Sequence, residues 1–369
     1  MQLKQLCAVF FLCVASTFTL QAQEKNIENN PFEVSFRVHY GFLAYHHNEM
    51  RILQQRHLSA FEVAFTHQPS QDKKWAASFG YPELGVMFIH FDLGSPTYLG
   101  QAYCIMPTFN FTLSGRDSRS AFFFRLAPGI GYVTKTFNRV TNYKNIGIST
   151  HLNAAINFLG EYRYTISDHL NVKAGISLSH LSNGSFEKPN AGLNMPTMYM
   201  GMGYRFQSKH VFQSKLNADS LSVNKHLFTI VGIGAAKQDN PIGSKRYPVW
   251  GISGELTWPS RPFQRFGFGL DYMHDGSNKE NLQSNGIPVH SNIEVMRIGA
   301  NIRYEFQVGR ASINLGIGPY LYRLDKTGGP FYERLALRYF FAQNIFGQIA
   351  LKTHWGNADY VEYGVGIRL

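Results

Sequence analysis

The chain has 369 residues, 44% hydrophobic and 15% aromatic, with 34 Gly and a formal net charge of +11. That length holds one large domain or two smaller ones. Past the N-terminus no stretch approaches the ~20 consecutive apolar residues of a membrane helix, which excludes a helical membrane protein. Two of the three cysteines, Cys7 and Cys13, lie in the N-terminal stretch, so Cys104 has no internal partner for a disulfide.

Residues 1–22, MQLKQLCAVFFLCVASTFTLQA, carry Lys4, an apolar run from Leu6 and small residues up to Ala22. That is the pattern of a secretory signal peptide cut after Ala22. A basic exported chain suits an anionic partner. Lipopolysaccharide or anionic lipid fits that place, and nucleic acid does not.

From there the chain alternates apolar and polar residues in segments of about ten or more, divided by polar turns. This is the signature of an outer-membrane β-barrel. In the first half, residues 23–206, strands are expected near Phe32–Tyr45, Leu58–His67, Pro82–Leu93, Tyr98–Leu113, Ser118–Thr134, His151–Ile166, His169–Ser182 and Met195–Phe206. Residues 207–225, QSKHVFQSKLNADSLSVNK, read as a polar linker. In the second half, 226–369, strands are expected near Leu227–Lys237, Val249–Trp258, Pro262–His274, Ile293–Phe306, Ala311–Leu324, Phe331–Phe341, Ile345–Trp355 and Tyr360–Leu369. The fold class is therefore all-β, a transmembrane antiparallel barrel of about sixteen strands. A single sixteen-stranded barrel is preferred; two eight-stranded barrels are the alternative.

An even strand count puts both termini on the periplasmic side, so the seventh strand ends at the cell exterior. On that strand Leu170, Val172, Ala174, Ile176 and Leu178 share one face, which ends in His180 and Ser182. Two hydrogen-bonding side chains on an apolar face are costly without partners or a purpose. Positions i and i+2 lie ~7 Å apart at Cα, a gap that histidine and serine side chains can close. Ester hydrolysis needs a nucleophile, a base, an orienter and oxyanion donors. Asn183 and the backbone N–H groups of Gly184 and Ser185 are the candidate oxyanion donors. Asn194 shares parity with Met198 and can return beside His180. Ile176, Leu178, Met198 and Met200 would hold acyl chains of a lipid whose ester lies near the interface. The competing reading makes His180 and Ser182 interfacial polar residues closing a strand.

His180-Leu181-Ser182-Asn183-Gly184, followed by Pro189-Asn190-Ala191-Gly192, resembles the outer-membrane lipid A 3-O-deacylase family (PagL-type, or acyloxyacyl hydrolase). The resemblance covers about residues 30–206 and leaves 207–369 outside. It implies a cofactor-independent serine esterase that removes an ester-linked acyl chain from lipid A in a Gram-negative outer membrane. The family's Ser-His-Glu triad lies on the lipid-facing barrel surface. By position Ser182 is the nucleophile, His180 its base, and the glutamate falls on Asn194. An amide oxygen orients an imidazole but brings no charge, and in serine proteases the Asp→Asn change costs about 10⁴ in rate. Glu187, in the same loop, is the alternative orienter.

Other polar residues carry weaker readings. His274 also ends a greasy face, before Asp275-Gly276-Ser277-Asn278, and reads as a turn in preference to a second site. Asp271, Asp275 and Glu280 are a calcium alternative to plain solvated acids. His354, Lys352 and Glu362 have lumen parity and suit an interior polar network. His46 and His47 read as interfacial. The functional alternative to an esterase is a non-catalytic barrel: a channel, a transporter or a structural protein.

Overall fold

The computed structural model describes residues 32–70, 72–115, 118–206, 226–239 and 241–369. The expected signal segment and the 207–225 linker lie outside the described residues. The strands of the first half are β1 (Phe32–Gly41), β2 (Leu58–His67), β3 (Glu83–Ser95), β4 (Gly100–Ser114), β5 (Ser120–Val133), β6 (Leu152–Thr165), β7 (Leu170–Ser182) and β8 (Leu193–Arg205). Those of the second are β9 (Leu227–Gln238), β10 (Arg246–Arg261), β11 (Gln264–Asp275), β12 (Met296–Val308), β13 (Ala311–Arg323), β14 (Phe331–Phe340), β15 (Ile345–His354) and β16 (Asn357–Arg368).

These strands close as two antiparallel barrels. β8 pairs back onto β1 from Glu33↔Arg205 to Gly41↔Thr197, and β16 onto β9 from Tyr363↔Gly234 to Arg368↔Thr229. The single sixteen-stranded barrel is thus corrected to its two-barrel alternative. The physical reason is that eight strands already enclose a space that side chains can fill. Each ring also pairs its own edges and needs nothing from the other.

Alternation sets what fills that space. In β2, Leu58, Ala60, Glu62, Ala64 and Thr66 are buried while Phe61 and Phe65 face out. In β6, Asn153, Asn157, Glu161 and Arg163 point inward, and Leu152, Phe158, Tyr162 and Tyr164 outward. The inward charges neutralise one another. Glu62 takes a two-pronged contact from Arg125, 2.7 Å at each oxygen, and a 2.6 Å contact from Arg37. Arg37 also reaches Glu161 at 2.6 Å, and Arg163 joins Glu161 to Glu83. Buried charges persist only when paired in this way. Glu62→Leu deprives Arg125 of its carboxylate and Arg37 of one of two. It is expected to cost about 3–5 kcal/mol of unfolding free energy, read by urea titration of the refolded barrel in detergent.

The second barrel is built alike. Glu255 meets Arg303 at 2.6 Å and Arg338 at 2.5 Å, while Asp271 meets Arg303 at 3.0 Å and Arg334 at 2.7 Å. Lys352, His354 and Glu362 are interior, with Lys352 on Asp359 at 2.7 Å and Glu362 on Arg334 at 2.8 Å.

Near the end that carries the β5–β6 and β7–β8 loops, the first barrel's interior turns apolar. Leu43, Met50 and Leu53 from the β1–β2 loop and Ile148 from the β5–β6 loop pack there with Phe91 and Val133. Leu181 of β7 and Leu193 of β8 join the same cluster. They are immediate sequence neighbours of Ser182, His180 and Asn194, so this packing fixes the backbone that carries the candidate site.

Candidate active site

β7 and β8 run antiparallel with His180 directly opposite Asn194. Both take the outward parity of Leu178 and Met198. His180 Nδ1 lies 2.7 Å from Asn194 Oδ1. An amide oxygen can only accept, so the imidazole carries its proton on Nδ1 and leaves Nε2 as the basic nitrogen. The other half of the amide, Nδ2, donates to His46 Nδ1 at 3.3 Å. The backbone is tied at the same point, since Ala44 N donates to Asn194 O at 2.8 Å.

His46 therefore does more than sit at an interface: as an acceptor it holds Asn194 with its oxygen toward His180. Burial, followed by the nearby His47 and His180 rings, lowers its pKa below the ordinary histidine value. It thus keeps the neutral acceptor form to lower pH than a free imidazole would. His46→Phe is expected to lower kcat from a few-fold to about tenfold, the worth of one orienting hydrogen bond. The loss of rate on acidification that stems from protonating His46 should vanish with it; kcat measured against pH checks both.

Ser182 ends β7 opposite Ala154. It does not project openly outward as the parity pattern implied: only 7% of it is exposed, because the β7–β8 loop folds over it. Its Oγ accepts hydrogen bonds from Asn190 Nδ2 at 2.8 Å and from Gly184 N at 3.2 Å. Both partners donate, so the hydroxyl proton stays available to a base. No hydrogen bond joins it to His180 among the described residues. Such catalytic contacts often tighten only when substrate is bound.

The loop has its own frame. Asn183 Nδ2 donates to Ser149 Oγ at 2.9 Å and to Glu187 O at 2.8 Å, and Asn183 N donates to Asn190 Oδ1 at 3.1 Å. Asn183 as an oxyanion donor is therefore corrected: its amide hydrogens are spent on Ser149 of the β5–β6 loop and on Glu187 O. Glu187 as an alternative orienter is corrected too, because its carboxylate pairs with Arg246 at 2.7 Å and not with His180. Gly184 N–H does point at the serine. Gly192 is needed where it is, with φ +81°, since a Cβ there would stand 2.7 Å from His180 Cε1.

Asn190 and His46 are the residues that sequence reasoning missed. Asn190 lies in an irregular loop where no periodicity assigns a direction. His46 reaches Asn194 from another loop, 148 residues away in the chain.

The remaining polar candidates resolve elsewhere. His274 stacks on Trp250 with ring centroids 5.2 Å apart, and Asp275 Oδ1 accepts from Ser277 N and Oγ as the chain turns into a helix, Ser277–Ser284. The acids weighed for calcium have cationic partners: Asp271 the arginines above, Asp275 Lys237 at 2.6 Å, and Glu280 Lys245 at 2.5 Å.

Residues 59–203 match the family described as lipid A 3-O-deacylase (PagL), and residues 222–369 match acyloxyacyl hydrolase, C-terminal domain. The first half of the chain is thus similar to the lipid A 3-O-deacylase (PagL) family. The second match covers the half that the His180–Gly192 motif left uncovered. Among solved structures, the chain is similar to the outer membrane enzyme PagL, at 16% identity and TM-score 0.31, covering 46% of this chain and 97% of that one. It is also similar to Neisserial surface protein A, at 10% identity and TM-score 0.32, covering 47% of this chain and 95% of that one. The FrpB iron transporter from Neisseria meningitidis follows at 8% identity and TM-score 0.22, covering 94% of this chain and 71% of that one. No curated protein matches the chain.

Proposed function

We propose that this chain hydrolyses an ester-linked acyl chain of lipid A in the Gram-negative outer membrane. Ser182 is the nucleophile, His180 the general base, and Asn194 the residue that orients it. The observation that carries this reading is the His180 Nδ1–Asn194 Oδ1 hydrogen bond, which leaves Nε2 free to accept a proton. Ser182 Oγ attacks the ester carbonyl and its proton passes to His180 Nε2. The carbonyl oxygen becomes an oxyanion, for which Gly184 N–H and Asn190 Nδ2, already beside Ser182 Oγ, are the donors. Collapse breaks the bond to the sugar oxygen, which takes the proton back from His180. Water, deprotonated by the same nitrogen, then releases the fatty acid from Ser182.

The outward surface beside the site suits such a substrate. Ile176, Leu178, Met198 and Met200 are exposed there with no polar side chain between them on that face, a surface that acyl chains would cover. The channel alternative finds little support in the lumens, where arginines and lysines pair with carboxylates in both barrels. The test is mass spectrometry of lipid A from a Gram-negative host that lacks its own deacylase, with and without this chain. The expected result is loss of the mass of one acyl chain and release of the matching fatty acid. Identical lipid A profiles would refute the reading.

A further inference from the structure

The loop that covers Ser182 is held by the second barrel, residue after residue. Gly184 lies against β16: with φ +62°, a Cβ there would come within 2.4 Å of Val361 Cγ2. Ser185 Oγ donates to Ala358 O at 2.9 Å, and Ser185 O accepts from Gln238 N at 2.9 Å. Arg246 lies over the Phe186 ring at 4.4 Å, donates to Phe186 O at 3.2 Å and pairs with Glu187 at 2.7 Å. Lys188 N donates to Gln238 Oε1 at 2.6 Å. Five consecutive residues, Gly184 to Lys188, thus meet β9, β10 or β16. On their other side Asn183 ties the same loop to Ser149 of the first barrel.

This grip bears on the chemistry because the loop supplies both donors to Ser182 Oγ, one just before the gripped segment's second residue and one two residues after its last. Ser185 is held at φ +60°, a backbone region that is strained for a non-glycine residue and persists only where its surroundings enforce it. Gln238 is buried, and its Nε2 is spent on Ser244 O, so its orientation is set from within the second barrel.

We infer that the second barrel sets the position of the nucleophile-covering loop, and that Gln238 and Arg246 are positioning residues for hydrolysis carried out in the first. They act through Gly184 and Asn190 and touch no reacting atom. The inference rests on the reading of Ser182 as nucleophile. It gives the C-terminal half a task that a self-contained eight-stranded esterase would leave undone.

The test uses the full chain with lipid A in mixed micelles, comparing wild type with Gln238→Ala, Arg246→Glu and the charge swap Glu187→Arg/Arg246→Glu. Amide hydrogen exchange at Lys188 is read on each variant, and it needs no catalysis. The expected result is faster exchange at Lys188 in Gln238→Ala and Arg246→Glu. Their kcat should fall by up to about 10²-fold, the size of an ångström-scale misplacement, with KM little changed, and the swap should recover much of it. Unchanged exchange would overturn the clamp. Faster exchange with wild-type kcat would overturn the positioning role. A wild type silent toward lipid A fails the esterase reading itself, and the absence of a measurable wild-type rate separates that outcome from the other two.

Discussion

Ser182→Ala is expected to lower kcat for lipid A deacylation by about 10⁴–10⁶-fold, the range seen when a serine hydrolase loses its nucleophile. The argument is local. Ser182 Oγ is the hydroxyl beside both candidate oxyanion donors, beneath the β7–β8 loop and two residues from His180. Removing it leaves Gly184 N–H and the Asn190 amide short of one acceptor each, a penalty of about 1–3 kcal/mol apiece at most. The packing of Leu181 and Leu193 and the closure of the barrel stay as they are. The variant should therefore still assemble, with the heat-dependent gel mobility of a folded barrel, while its rate falls to background. A variant that assembles and keeps its rate would place the chemistry elsewhere.

Asn194→Asp is expected to raise kcat by about tenfold, well short of the roughly 10⁴-fold that separates Asp from Asn in serine proteases, because there the amide imposes the wrong tautomer and here His180 already holds the right one. The amide oxygen already sits 2.7 Å from His180 Nδ1, so a carboxylate needs no new geometry. It adds the charge that stabilises the imidazolium formed when Nε2 takes the serine proton. The one contact that must change is at His46, whose Nδ1 now accepts from the amide nitrogen. A carboxylate oxygen in that place requires a donor, which the other tautomer of neutral His46 provides at the expense of the hydrogen bond its ring now makes to the Ala191 backbone. Steady-state kcat against pH checks this. An Asn194→Asp enzyme no faster than wild type would mean that the residue does not orient the base.

Much of this architecture is written in the period of the sequence. Inward Glu62, Glu161 and Arg163 alternate with outward Phe61, Phe65 and Tyr162, so strand, face and membrane-like exterior follow from parity alone. The pairing of His180 with Asn194 follows too, because both lie on the outward parity of adjacent strands. Closure was not legible in that way: strand pattern is the same whether β8 pairs with β1 or with β9. The long polar stretch 207–225, a misfit for a periplasmic turn in one large barrel, was the trace of two. Loop contacts were hidden for a different reason. Asn183, Asn190 and Glu187 occupy an irregular segment whose directions come from Ser149 in one barrel and Arg246 in the other, each far away in the chain. Alternation carries no information about them, and so Asn183 and Asn190 could not be told apart as donors.

Covalent trapping of the reactive hydroxyl is the sharpest probe of the site. The folded full-length chain in detergent is treated with a lipid-soluble fluorophosphonate, digested, and its peptides are weighed. We predict one phosphonylated residue, Ser182, and no label there in His180→Ala. Label on a different serine, or equal labelling of Ser182 without the histidine, would contradict the account.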